Sequence, residues 1–175
     1  MTLLRAELLL DLNRLLGNVP KIILASSSQR RLDLLQKMGI KPYKVLKPEI
    51  EESSEKIQIK CKSKDIAYRK AKFVHNYYEI KNKYIIAADT LVYRSGLVYE
   101  KAKNRNEVLE SLKKLSGKKH YVYGGICIIS PNNKILKRVI ITEVFFKKLS
   151  HNDLNDSELL AEGIGKAGGY AIQGK

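Results

Sequence analysis

Tryptophan is absent, and only two cysteines, Cys61 and Cys127, occur in 175 residues. Two thiols so far apart have no metal-ligand spacing and cannot staple a small scaffold. That excludes zinc modules and the disulfide-rich secreted class, and the pair reads as reduced thiols of a cytoplasmic protein. No apolar run reaches the length of about 18 residues that a membrane span requires. Prolines number 4, and no low-complexity linker or internal repeat is present. Acidic residues are the scarcer charge, 18 Asp and Glu against 33 Lys and Arg, for a net charge of +15. Such a balance invites nucleic acid as a partner. However, the lysines are scattered, with no stacking aromatic pattern and no nucleic-acid fold motif. The excess reads as solvated faces whose field also favours a small anionic substrate.

The N-terminus, Met1 to Leu16, is rich in leucine but interrupted by Arg5, Glu7, Asp11 and Arg14. Those charges argue against a signal-peptide core, and the acidic ones against a transit peptide. Residues 1–18 are expected to form an amphipathic extension helix, and 19–175 a single domain. The length suffices for one full core in two lobes.

The most informative stretch is Lys21 to Leu35. Ile22 to Ala25 reads as a short buried strand, Ser26-Ser27-Ser28 as a loop, and the following residues as a helix closed by Gly39. Arg30 and Arg31 fall in the first helical turn, where cations are disfavoured unless an anion is held there. Arginine grips phosphate oxygens in pairs. A phosphate site is therefore expected at this loop.

Further strands are predicted at Tyr43–Leu46, Tyr84–Ala88, Tyr121–Ile129 and Ile135–Phe146, with a hairpin joining Leu91–Tyr93 to Leu97–Tyr99. Helices are predicted at 64–80, capped by Ser63, at 105–115, begun by Asn104 and Glu107, and at 152–162, capped by Ser150. Strands alternating with helices, plus hairpins, give an α/β fold with a mixed sheet. Asp89 would close the Tyr84 strand, where open α/β sheets place ligands. A carboxylate that caps its own turn is the alternative. Pro48 to Glu55 is an acidic loop, and Glu51 or Glu52 could join Asp89 on a hard divalent cation. Lys70, Lys101 and Gln173 are unremarkable in isolation. The histidines, His75, His120 and His151, form neither a metal spacing nor a triad.

Taken together, these stretches resemble the Maf family of nucleoside triphosphate pyrophosphatases. Leu24 to Leu35 is similar to its opening motif, Ile50-Glu51-Glu52 to its acidic motif and Arg69-Lys70-Ala71 to its helix lysine motif. Ala88-Asp89-Thr90, Glu100-Lys101, Leu115-Ser116-Gly117 with His120, Thr142-Glu143-Val144 and Lys166 to Gly174 follow in the family's order. The resemblance implies an elongated, twisted mixed sheet flanked by helices in two lobes, with a nucleotide cleft. It implies hydrolysis of a nucleoside triphosphate to monophosphate and pyrophosphate with Mg²⁺ or Mn²⁺, limiting incorporation of non-standard nucleotides. Asp89 would be the proton acceptor and, with Glu52, would hold the metal. Ser26, Arg30, Arg31, Lys70 and Lys101 would hold phosphates. Arg30, Thr90 and Gln173 match the subgroup that prefers dTTP and UTP. A cytoplasmic homodimer is the implied assembly, with no membrane and no nucleic-acid partner.

Three departures from the family pattern stand out. Gln29 replaces a proline that is helpful at a helix start but not required. Ala102 replaces a proline after the lysine motif, which is expected to loosen Lys101. Gly165 stands where an aspartate is usual, removing a carboxylate. The chain also stops soon after Gln173, without the strand and helix that usually follow, so a truncated C-terminus is expected. The alternative this raises is a catalytically weak relative acting by nucleotide or partner binding in cell-division arrest. A basic nucleic-acid-binding module is the third reading.

Overall fold

The computed structural model describes residues 21–52 and 58–171. The predicted N-terminal helix, Glu55 and Gln173 lie outside them. The strands are β1 (Ile22–Ala25), β2 (Lys44–Leu46), β3 (Tyr84–Arg94), β4 (Leu97–Tyr99), β5 (Lys119–Ile129) and β6 (Ile135–Phe145). The helices are α1 (Gln29–Lys37), α2 (Ile59–Tyr77), α3 (Arg105–Leu115), α4 (His151–Asn155) and α5 (Ser157–Gly163). The sheet order is β2-β1-β3-β5-β6, with β4 on β3. β1 is parallel to both β2 and β3, whereas β3 and β4 are antiparallel. The predicted mixed α/β sheet is thus observed.

The described residues form two compact units. The first takes in 21–52, 65–88 and 126–138, and the second 58–64, 89–125 and 139–171. In the first, Ile23 and Ala25 of β1, Ile85 and Ala87 of β3, and Cys127 and Ile129 of β5 pack against Ala67, Ala71 and Val74 of α2. The alternation along each strand puts these residues on one face, and the helical spacing of 67, 71 and 74 supplies the matching stripe. In the second unit, Val108 and Leu112 of α3 pack with Leu154, Leu159 and Leu160, while Val92, Tyr99 and Leu115 form a neighbouring cluster.

The structure corrects the sequence reading at four places. Ser63 is not a helix cap. It is a fully buried residue inside α2, which starts at Ile59. Small residues are needed there: a Cβ on Gly125 of β5 would stand 2.1 Å from the Ser63 carbonyl oxygen. The helix predicted over 152–162 is two helices. Ser150 begins the first with a capping box to Asp153, but the Asp156 carboxylate accepts from the N–H groups of Glu158 and Leu159 and starts a second. A good cap in mid-sequence outcompetes helix continuation here.

The third correction concerns Asp89, which does not end its strand. β3 runs on through Thr90 to Arg94, and its buried positions shift from Ile85, Ala87 and Asp89 to Val92. Thr90, Leu91, Val92 and Tyr93 are all good strand formers, so nothing local stops the strand. The turn comes at Ser95 and Gly96, with φ of 48° and 86°, the positive pair that a two-residue hairpin requires.

The fourth concerns Ala102, which does not loosen its surroundings. Its N–H donates to the Lys166 carbonyl at 3.3 Å, a bond proline cannot make, and its carbonyl accepts from Gly165 N–H at 2.7 Å. Lys101 forms an antiparallel bridge with Ala167, and Gly165 has φ of 74°, a backbone that favours glycine over the family's aspartate.

Candidate active site

In the first unit the site residues are carried by the β1–α1 loop, the acidic loop and α2. Ser26 follows the end of β1 and is 2% exposed. Its hydroxyl accepts from Ser28 N–H at 3.1 Å and from the Arg31 guanidinium at 3.3 Å. The serine thereby fixes both the loop and the first-turn arginine. Arg30, next to it on α1, is exposed. No acidic residue occupies the first turn of α1, and the Ser28 side chain makes no capping bond. The helix start therefore keeps its positive end uncompensated by a side chain of its own.

Lys70 is buried on α2, and its ammonium lies 2.7 Å from Glu52 Oε1. Glu52 itself is exposed, with 42% of its side chain accessible. One turn of α2 also holds the acidic loop by a second route. Arg69 donates to the Glu51 carbonyl at 2.8 Å and pairs with Asp65 at 3.0 Å. The sequence reading missed that role of Arg69, although the i,i+4 spacing of Asp65 and Arg69 was a visible signal.

In the second unit Asp89 is 3% exposed, two residues past Ala87, where the parallel pairing of β1 with β3 ends. Burying a carboxylate is costly, and a buried carboxylate on a strand is a candidate for a functional site. Thr90 and Lys101 are exposed, and the Lys101 backbone is held by the bridge to Ala167. The loop that carries this bridge is anchored from below. Tyr170 Oη lies 2.6 Å from His120 Nε2, and both rings meet Phe146 edge-on. His120 is fully buried, and burial, more than the nearby Arg94, holds its pKa below the ordinary value. Burial likewise pushes the Tyr170 phenol up to about 12. The sequence reading set His120 aside as a ligand or triad member and gave it a place only in the family pattern after Leu115-Ser116-Gly117, and the structure makes it a core support.

Among the described residues no group of three or more His, Cys, Asp or Glu side chains could cage a metal. That donor set does not contradict a divalent cation of the magnesium kind, which keeps several waters and binds through one or two carboxylates together with substrate phosphates. Asp89 in the second unit and Glu52 in the first each carry carboxylate oxygens, the donor type such a cation takes. No described helix is long and apolar enough to cross a membrane.

Residues 21–175 match the family model described as Maf-like protein. A dTTP/UTP pyrophosphatase of Rhizobium etli is 36% identical over 88% of this chain and 77% of its own length. Another dTTP/UTP pyrophosphatase, from Caldicellulosiruptor bescii, is 38% identical over 88% of this chain and 79% of its own. Among solved structures, a HAM1 protein from Coxiella burnetii aligns over 73% of each chain at 17% identity, with a TM-score of 0.49.

Proposed function

The chain belongs to the Maf-like family, and from that premise we propose that it is a nucleoside triphosphate pyrophosphatase acting on dTTP, UTP or modified pyrimidine nucleotides. The observation that carries this reading is the buried Asp89 on β3, in a chain 36% identical to a dTTP/UTP pyrophosphatase. The reaction is hydrolysis of a phosphoric anhydride. A water oxygen bonds to the α-phosphorus, the bond from that phosphorus to the bridging oxygen breaks, and pyrophosphate leaves. Asp89 takes the proton that the water gives up. Its buried carboxylate suits general-base work, worth about 10²–10⁴-fold.

The other residues act by charge and position, which dominate phosphoryl chemistry. Arg30 and Arg31 grip phosphate oxygens at the start of α1, and Ser26 orients Arg31. Lys70 and Lys101 neutralise the triphosphate, while Thr90 and Gln173, with Arg30, select the base. Glu52 and Asp89 would hold Mg²⁺ or Mn²⁺, which when bound supplies further charge neutralisation on the phosphates. Glu52 also keeps Lys70 in place. Hydrolysis removes a non-standard nucleoside triphosphate from the pool before it can be incorporated. Cytoplasmic residence fits two cysteines that form no disulfide, and a homodimer is the expected assembly.

The alternative of a catalytically weak relative working by binding alone is not favoured, because the relatives named above are pyrophosphatases. The experiment is direct. The purified chain is incubated with dTTP, UTP, CTP and GTP plus Mg²⁺ or Mn²⁺, and pyrophosphate and monophosphate are measured. Equal amounts of the two products, greatest with dTTP or UTP, are expected. Release of inorganic phosphate and a diphosphate instead, or no release from folded protein, would overturn the reading.

A further inference from the structure

β6 leaves its apolar side chains in solvent along most of its length. Ile135, Leu136, Ile140 and Ile141 are 44%, 47%, 50% and 48% exposed, and Phe145 is 71% exposed. The strand ends the sheet order, so among the described residues its outer edge has no partner strand. An 11-residue edge with no proline or glycine is a template for another strand.

The hairpin determines which backbone groups face outward. Ser130 N–H donates to the Lys134 carbonyl at 2.9 Å, and at the other end Phe146 N–H donates to the Lys118 carbonyl at 3.2 Å. Backbone direction alternates along a strand. Even-numbered residues of β6 therefore turn their N–H and C=O groups toward β5, and odd-numbered residues turn theirs outward.

The sequence of β6 is complementary to itself when reversed about Ile140. Lys137 then falls opposite Glu143, and Glu143 opposite Lys137. Ile135 meets Phe145, Val139 meets Ile141, and Arg138 meets Thr142. No like charges oppose. The paired residues share a face, and the odd-numbered ones are those whose backbone groups point outward. Moving the axis one residue either way puts Lys137 opposite Ile141 or Phe145 and loses both ion pairs. Glu143 already contacts Lys119 at 3.4 Å, but a carboxylate accepts from several donors.

We propose that β6 pairs antiparallel with β6 of a second copy of this chain, about a two-fold axis at Ile140, so that the two sheets join edge to edge. The contact is isologous: each copy presents the same strand, and each charge finds its opposite on the partner. This gives the expected homodimer a defined surface, and it does not depend on the chemistry of the nucleotide site.

The test uses the full chain with Cys61→Ser, so that the half-exposed thiol does not interfere. At the axis, a residue stands opposite its own copy as a non-hydrogen-bonded pair, about 4.5 Å between Cα atoms, which a disulfide can span. Ile140→Cys is expected to cross-link into a dimer on mild oxidation. Arg138→Cys is not, because its opposite is Thr142. Ile141→Pro removes an outward N–H and no bond to β5, and is expected to weaken the dimer about tenfold or more in sedimentation equilibrium, with circular dichroism unchanged. Cross-linking of Arg138→Cys as readily as Ile140→Cys would overturn the proposal. So would a parent chain that stays monomeric at about 100 µM, or a dimer that a folded Ile141→Pro leaves intact. Slow hydrogen exchange at odd-numbered β6 amides in a monomer would place a different segment on the edge and equally overturn it. Pyrophosphate release on the same samples separates failure here from failure of the enzymatic reading.

Discussion

Burial divides the charged and polar residues of the proposed site into two kinds. Lys70 and Asp89 are 4% and 3% exposed, whereas Arg30, Thr90 and Lys101 stand in solvent. Charges of the first kind are costly to bury and are kept where chemistry needs them oriented before substrate arrives. Those of the second kind cost the fold little and contribute when an anion is bound. The buried pair should therefore govern turnover, and the exposed residues should govern affinity.

Asp89→Asn gives the largest expected effect. Steady-state turnover should fall by about 10²–10⁴-fold, with nucleotide binding by calorimetry retained and the melting temperature not lowered. Near-normal turnover would move Asp89 to the structural side of the division. Lys70→Met comes next. A charge-assisted contact to phosphate worth about 1.5–3 kcal/mol corresponds to roughly a 10–100-fold fall in kcat/KM. Removing one member of an ion pair is strongly destabilising where the other is left buried, but the Glu52 side chain is 42% accessible, so water can solvate its carboxylate and the melting temperature should fall only modestly. A large loss of melting temperature without a fall in kcat/KM would break the comparison.

Arg30→Ala tests the exposed kind. KM should rise by about tenfold at little cost in kcat, and stability should change by less than about 0.5 kcal/mol. Equal loss in kcat would give Arg30 a role in the transition state. The smallest effect concerns His120, another buried polar group. Its folded pKa is lowered by burial, so the unfolded chain takes up the proton first as pH falls. The stability it contributes is fully present above about pH 6.5, the unfolded value, and is lost as pH drops from there toward the folded value. Melting temperatures at pH 7.5 and 5.5 should differ less in His120→Gln than in the parent. An equal difference would mean that other groups set the slope.

Much of this division was beyond the reach of the sequence alone. Ser26, Arg30 and Asp89 could be singled out because the serine loop, the helix start and the strand carry recognisable patterns, whereas Lys70 and Lys101 stood out only through the family resemblance. Burial could not be read for Lys70 or Asp89, because it depends on how α2 and β3 are packed. Elements with strong local signals came out with their bounds almost unchanged, among them α3, with its Asn104 cap and its stop at Ser116-Gly117. Those decided by tertiary contacts did not. Ser63 looks like a cap until Gly125 is seen beneath it, and Asp156 looks like mid-helix until its carboxylate is seen holding two N–H groups. Ala102 looked like a defect by comparison with proline, yet its N–H is used. For β6 the sequence shows a strand over Ile135–Phe146, and only the sheet order places it last, on an edge.

The central claim is that water attacks the α-phosphorus, with Asp89 accepting its proton. Hydrolysis of dTTP in ¹⁸O-labelled water, followed by mass spectrometry of both products, tests it most directly. The label is expected in the thymidine monophosphate, with none in the pyrophosphate. Label in the pyrophosphate would place the attack on the β-phosphorus and contradict the claim.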